Sequence, residues 1–189
     1  MNINAVLADK AELAVRAATE PVAFASIYDH YVSRVYKYMR YRVGDPTEAE
    51  DLTSQVFERV LAKIGGYCPE RGPFAGWLFA IAHNTVVDYL RSQKRHRLVP
   101  LEVMAEAACS GTGPEEVVIN IETREKLLAA LSRLTDRERN LVALKFSAGL
   151  TNRAIAGITG LTESNVAVIL FRAMRRLRAE LEAKGAGRG

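Results

Sequence analysis

Apolar residues recur along this chain at three- and four-residue steps almost throughout, the period of a helix that buries one face. From Phe24 to Val43 that face is Phe24, Ile27, Tyr28, Tyr31, Val35 and Tyr38 or Met39. Gly44-Asp45-Pro46 then stops one helix and starts another. Asp45 can accept as the N-cap, Pro46 fits the first helical position, and Glu48 follows the cap by three. The second helix is expected to run to about Ile64, with Ala49, Leu52, Val56, Val60 and Leu61 turned inward. Gly65 to Gly72 is dense in breakers and reads as a loop. Pro73 opens a third helix to about Gln93, with Phe74, Trp77, Leu78, Ile81, Thr85 and Tyr89 along its apolar side.

The periodicity lapses from Leu98 to Asn120, where Pro100, Gly111, Gly113 and Pro114 predict a linker with one short helical turn at Glu102 to Ala108. A second helical unit begins near Thr123, with Leu127, Leu128, Leu131 and Leu134 inward. Thr135 and Glu138 have capping-box spacing for a helix from Asp136 to Ser147, which Gly149 ends. Thr151 then caps a short helix with Ile155, Ala156 and Ile158 on one face, Gly160 falls at a sharp turn, and Thr162 caps a long helix. That helix carries Val166, Ile169, Leu170, Ala173, Leu177 and Leu181 at helical steps. Small Ala156 and turn-forming Gly160 suit two helices crossing near a right angle, a helix-turn-helix. Its outer face bears Asn165, Arg172, Arg175 and Arg176. Those groups suit a phosphate-lined groove, though a plain helical hairpin with a solvated basic face has the same pattern.

Strand-like alternation is lacking, so the fold class is all-α: two small helical domains joined by a flexible acidic linker, the second a helix-turn-helix. The boundaries read as an extension over 1–21, a first domain over 22–97, a linker over 98–121, a second domain over 122–184 and a disordered tail over 185–189. Charge sharpens this division. The net charge of +4 is small, but Thr123 to Gly189 holds thirteen Lys and Arg against six Asp and Glu. His96 to Glu122 holds only Arg97 against five glutamates. A basic C-terminal module behind an acidic tether fits a polyanion-binding head. Cys68 and Cys109, with three scattered histidines, form no zinc set, and no cofactor is expected. The N-terminus lacks the pattern of a secretory signal and no apolar run reaches spanning length, so neither export nor membrane insertion is expected and the location reads as cytoplasmic.

Glu50-Asp51-Leu52, Trp77-Leu78, Ile81-Ala82, Asn84, Asp88 and Leu90-Arg91, in that order and followed by the paired C-terminal helices, resemble an extracytoplasmic-function sigma factor. The resemblance covers roughly Val22 to Ala183. It implies a subunit that binds core RNA polymerase, reads promoter DNA as duplex and as melted strand, and is held by an anti-sigma factor. Glu48, Asp51, Gln55 and Glu58, on the polar side of the second helix, are then the polymerase contacts, with Asp51 the firmest. Ser54 stands where similar proteins commonly have glutamine.

Opening a duplex needs planar groups to stack on, a pocket for an unstacked base, and cations for the backbone. Tyr67, Arg71, His83, Asn84, Asp88, Arg91, Lys94 and Arg95 are the candidates for the minus-ten element. Asn84 reads the base, because its amide both donates and accepts, whereas Trp77 is read as core. For the minus-thirty-five element the candidates are Thr162, Glu163, Ser164 and Asn165 at base edges and Arg172, Arg175 and Arg176 on phosphates. Mid-helix, similar proteins place Lys or Arg where this chain has Ala167, Val168 and Ile169.

An autonomous helix-turn-helix regulator is the alternative, but it leaves the Trp-Leu and Asn-Asp-Arg helix unexplained. An enzyme is more distant still. No glycine-rich phosphate loop, H-E-x-x-H or paired nucleophile and base occurs.

Overall fold

The computed structural model describes residues 11–96 and 115–185, and among them every regular element is helical. After a helical segment over 11–16, whose Ala14 is buried, α1 spans Pro21–Val43 and α2 Pro46–Lys63. Two 3-10 turns, Ile64–Gly66 and Pro69–Arg71, lead to α3, Phe74–His96. Then follow α4 (Glu115–Ser132), α5 (Asp136–Phe146), α6 (Asn152–Thr159) and α7 (Glu163–Gly185).

The stops and starts follow local chemistry. Asp45 Oδ1 accepts the Glu48 amide at 2.9 Å, and Thr135 with Glu138 closes a full capping box. Thr151 and Thr162 accept the amides of Ala154 and Asn165, both at 3.2 Å. Gly160, at φ +70°, adopts the left-handed conformation that glycine reaches without strain. There the chain turns through 104° from α6 into α7. The crossing expected of a helix-turn-helix is present.

The N-terminal module is three mutually packed helices, α1 on α2, α2 on α3 and α1 on α3. Ile27, Tyr31, Val35 and Met39 meet Leu52, Val56 and Val60 and also Leu78, Ala82 and Val86 in one core. In the C-terminal module, Leu131, Leu134, Leu141, Leu144, Ile155, Val166, Leu170 and Leu177 are buried. Buried Thr53 and Thr85 return their hydroxyls to the carbonyls of Ala49 and Ile81, which removes the cost of an unpaired donor.

The structure departs from the sequence reading at several positions. Leu61 is 56% exposed, because it falls one position beyond the 49–52–56–60 stripe, and Phe57 takes the buried place. Leu181 is exposed, and Phe79 is fully buried although the pattern passed over it. Tyr28 is 41% exposed, its ring 4.7 Å from that of Phe57. α4 starts at Glu115, inside the expected linker. Pro114 just before it and glutamates in its first turn are favourable helix-start chemistry. The remaining linker, the turn expected at Glu102 to Ala108 and the last residues of the tail lie outside the described residues. No single helix among the described residues is long and apolar enough to cross a membrane.

The two modules also touch. α1 packs on α5, and α3 packs on α6. Along α1, Arg34, Tyr38 and Arg42 stand four residues apart and share one face. Arg34 Nη2 donates to the Ala148 carbonyl. Gly149 leaves room for this approach, since a Cβ there would lie 3.2 Å from that nitrogen. Tyr38 Oη donates to Asn140 Oδ1 at 2.9 Å, within the interior. Arg42 Nη1 reaches the Asp136 carbonyl at 3.0 Å and its carboxylate at 2.9 Å.

Burial separates two leucines of one helix and so fixes their expected costs. Leu52→Ala should lower unfolding free energy by about 2–5 kcal/mol through the cavity it leaves. Leu61→Ala should stay within about 0.5 kcal/mol, as an exposed site does. Urea unfolding of the two variants reads this directly, and equal losses would contradict the assignment of faces.

Candidate nucleic-acid and polymerase interface

The first surface is the outer side of α2. Its apolar stripe fixes the opposite face outward, so Asp51, Gln55 and Glu58 are exposed. Among the described residues none of these three has a side-chain hydrogen bond or ion pair, so the face presents open acceptors of net negative charge. Glu48 differs. It is half-buried and lies against Tyr89, whose hydroxyl is pushed up to about 12 by burial and then by Glu48. Gln93 Nε2 donates to the same hydroxyl at 2.8 Å. Glu48 is therefore tied into the α2–α3 packing, while Asp51 is open. Ser54 is occupied locally, donating to the Glu50 carbonyl at 3.2 Å.

The second surface is a stripe on α3. Asn84, Asp88, Arg91 and Arg95 recur at helical steps on one face and are exposed, with Lys94 beside them. Asp88, Arg91, Lys94 and Arg95 line an open cleft of about 580 Å³. Arg59 of α2 supports this face from behind. Its Nη1 donates to Thr85 Oγ1 at 3.2 Å and lies 3.7 Å from Asp88 Oδ2. The spacing gave no hint of Arg59, because its partners sit on another helix.

Two candidates for this surface have other surroundings. Tyr67 is 8% exposed; its ring meets Phe74 at 5.2 Å and Trp77 at 5.6 Å, and its hydroxyl donates to the Gly72 carbonyl. The ring anchors the loop, and Trp77, half-buried, closes the same aromatic cluster. Arg71 beside it is exposed. His83 is half-buried, with Nδ1 3.3 Å from Tyr38 Oη. Burial, and after it the charge of Arg42, holds its imidazole below the usual histidine range. A neutral ring facing the C-terminal module is the result.

The third surface is on α7. Thr162 spends its hydroxyl on the cap, and Glu163, Ser164 and Asn165 stand exposed in the first turn. Arg172, Arg175 and Arg176 line an open depression of about 320 Å³ with Ala179. Arg175 and Arg172 are exposed, the former 6.0 Å from the Phe171 ring centre. Arg176 is engaged elsewhere: its Nη1 lies 3.1 Å from the Glu138 carboxylate, bracing α7 against α5. Ala167 and Val168 are exposed and Ile169 half-buried, so the middle of the helix offers apolar contact outward.

The three surfaces are chemically distinct, one acidic and two with clustered cations, and none of them pairs a nucleophile with a base. No group of three or more metal-ligating side chains converges among the described residues.

Comparison with known proteins gives these surfaces a family. The chain matches sigma-70 region 2 over residues 27–96 and sigma-70 region 4 over residues 124–177. It is 36% identical to the ECF RNA polymerase sigma factor BldN of Streptomyces coelicolor, over 88% of this chain and 63% of that protein. It therefore spans less than two thirds of BldN's length. With the ECF RNA polymerase sigma factor ShbA of Streptomyces griseus it shares 32% identity, over 70% of this chain and 71% of that protein. In fold it is similar to the sigma factor RpoE of Bartonella quintana, solved in complex with the anti-sigma factor NepR. That match has a TM-score of 0.67 at 19% identity, over 84% of this chain and 96% of that one. With region 2 in its N-terminal module, region 4 in its C-terminal module and relatives of this identity, the chain belongs to the ECF RNA polymerase sigma factors.

Proposed function

We propose that this chain binds core RNA polymerase and directs promoter recognition, melting and transcription initiation. The observation that carries the reading is the separation of three surfaces on two modules: an open acidic face on α2 and two cation-bearing helix faces on α3 and α7. A single-operator regulator needs only the last of these. In this reading the first module, over 22–97, holds polymerase through Asp51, Gln55 and Glu58, with Glu48 at the edge of the contact. The stripe from Asn84 to Arg95 takes the melted strand, with Arg71 and the loop beside it. The second module, over 122–184, reads the minus-thirty-five duplex with Glu163, Ser164 and Asn165 at base edges and Arg172 and Arg175 on phosphates. Bond making stays with the polymerase, so the chain itself is no enzyme, and it works in the cytoplasm beside the polymerase. An anti-sigma factor is a further expected partner, by likeness to relatives such as RpoE that are solved with one. Capture of bacterial core polymerase by the full chain, followed by run-off transcription on genomic fragments, tests the whole reading. A chain that footprints a specific operator alone, and never supports run-off, would favour the autonomous regulator instead.

Three outcomes are expected. Asp51→Arg reverses the charge at an exposed position off the apolar stripe, so it should abolish polymerase capture while far-UV circular dichroism and melting stay unchanged. Full capture by a folded Asp51→Arg chain would remove the α2 assignment.

Arg172→Ala with Arg175→Ala should weaken holoenzyme binding to all minus-thirty-five sequences alike. The slope of affinity against salt should flatten by about one for each phosphate no longer neutralised. Arg176→Ala should add a loss of thermal stability that the other two lack, because Glu138 is left without its partner. A sequence-selective defect from the first pair would assign those arginines to base edges.

Asn84→Ala should spare capture of upstream duplex but impair opening, since an unstacked base exists only after melting. Permanganate reactivity of unpaired thymines in the assembled holoenzyme reads this step. Normal opening on both duplex and pre-melted templates would exclude Asn84 as base reader.

A further inference from the structure

Given the promoter-reading role proposed above, the middle of α7 is where duplex sequence is read, and it holds little that can hydrogen-bond to a base. Where a helix enters the major groove, side chains at i, i+3, i+4 and i+7 of its outward face can meet base edges. Counted from Ser164, the last three of those positions are Ala167, Val168 and Phe171. Val166, Leu170, Ala173 and Leu177 are buried, which turns Ser164, Val168, Phe171 and Arg175 straight outward. Phe171 is 64% and Val168 46% exposed. Of the four positions from Ser164 to Phe171, only Ser164 brings a side-chain donor or acceptor.

A single exposed apolar residue needs no explanation, but this pair is set among groups suited to DNA. Asn165 stands exposed beside Ser164, and Arg172 and Arg175 follow, lining the depression that Arg176 and Ala179 share. The Arg175 guanidinium carbon is 6.0 Å from the Phe171 ring centre, so a cation and an apolar ring form one patch. Arginines that neutralise phosphates there bring the pair down onto base edges. Val168 and Phe171 then discriminate by what they cannot do. Against guanine, cytosine or adenine they leave donors and acceptors desolvated and without a partner. The thymine methyl is the one apolar group that an ordinary base presents in that groove. Met174 and Leu181, also exposed on α7, lie farther along the helix and toward its flank.

We propose that Val168 and Phe171, with Ala167 beside them, read thymine methyl groups. The upstream element of this chain is then specified by thymines in adjacent base pairs, with hydrogen-bonded readout confined to the start of the helix. Three residues advance an α-helix by about 4.5 Å, and one base-pair step is about 3.4 Å. The two side chains therefore face neighbouring base pairs, next to the position read by Ser164 and Asn165. Each methyl withdrawn from water against them contributes about fourfold in affinity.

The test uses holoenzyme assembled from bacterial core polymerase and the full chain. Duplexes that end upstream of the minus-ten element, randomised over the minus-thirty-five region, are enriched by binding and should return thymines in adjacent base pairs. The enriched duplex is then remade with uracil for thymine in that region alone, which removes the methyls and leaves every hydrogen-bonding group. Affinity should fall by about fourfold for each methyl in contact. Val168→Ala with Phe171→Ala, both at exposed positions, should keep core capture and circular dichroism and lose most of the preference for thymine over uracil. Arg172→Ala should weaken binding to both duplexes by the same factor. Equal affinity of native holoenzyme for the two duplexes overturns the proposal, and a double variant that then loses core capture places the stripe against the polymerase. A folded double variant that keeps the full thymine preference overturns it as well. So does a native chain that captures core and supports run-off while enriching no thymines. A native chain that captures no core and supports no run-off overturns the sigma-factor role, and the proposal with it.

Discussion

Helix α1 faces two ways, and the rest of the molecule is arranged around that fact. Its apolar side, from Ile27 through Met39, is the floor of the N-terminal core. Its other side carries Arg34, Tyr38 and Arg42 toward α5. Tyr38 belongs to both. Its ring meets Phe79 edge-on at 5.8 Å within the core, while its hydroxyl crosses to Asn140 in the second module. Burial pushes that hydroxyl well above the usual tyrosine range, so it remains a donor at any pH the protein meets. A buried donor and a buried amide oxygen each need a partner, and here each has the other. The pair fixes which turn of α1 lies against which turn of α5.

Distance between surfaces follows from the same packing. The acidic face of α2 points away from the apolar stripe that packs on α1 and α3, so it is free for a basic partner. The cationic stripe of α3 is steadied by Arg59 reaching across from α2. The arginines of α7 divide their work, with Arg176 bracing the helix on Glu138 while Arg172 and Arg175 stay in solvent. Glu138 also closes the cap of α5, so one carboxylate joins the start of that helix to the middle of α7. Its carboxyl is held below the usual range: burial raises it, but the Thr135 hydrogen bonds and Arg176 outweigh that.

Much of this was legible in the sequence because it is local. Caps at Asp45, Thr135, Thr151 and Thr162, the turn at Gly160 and the stripes of α1, α2 and α3 are all set by neighbours within four or five residues. The polar face of α2 follows once its apolar face is known. What the pattern could not show depends on pairing across more than ninety residues. Tyr38 looked like one more core aromatic, and nothing nearby in the chain names Asn140, Ala148 or Asp136 as partners for it or for Arg34 and Arg42. A signal existed in the four-residue spacing of three hydrogen-bonding side chains beside an apolar stripe. Tyr67 and Arg176 are engaged within the protein by partners nearer in the chain. A packed aromatic cluster holds one and the Glu138 carboxylate the other.

The central physical claim is that the two modules are coupled through buried polar contacts of α1. A double-mutant cycle between Tyr38→Phe and Asn140→Ala, read by denaturant unfolding of the full chain, measures that coupling at one atom pair. The structure predicts that the second substitution costs less once the first is made, with a coupling of about 0.5–1.5 kcal/mol. Strictly additive losses would mean that the hydroxyl and the amide do not meet in solution, and would contradict the account.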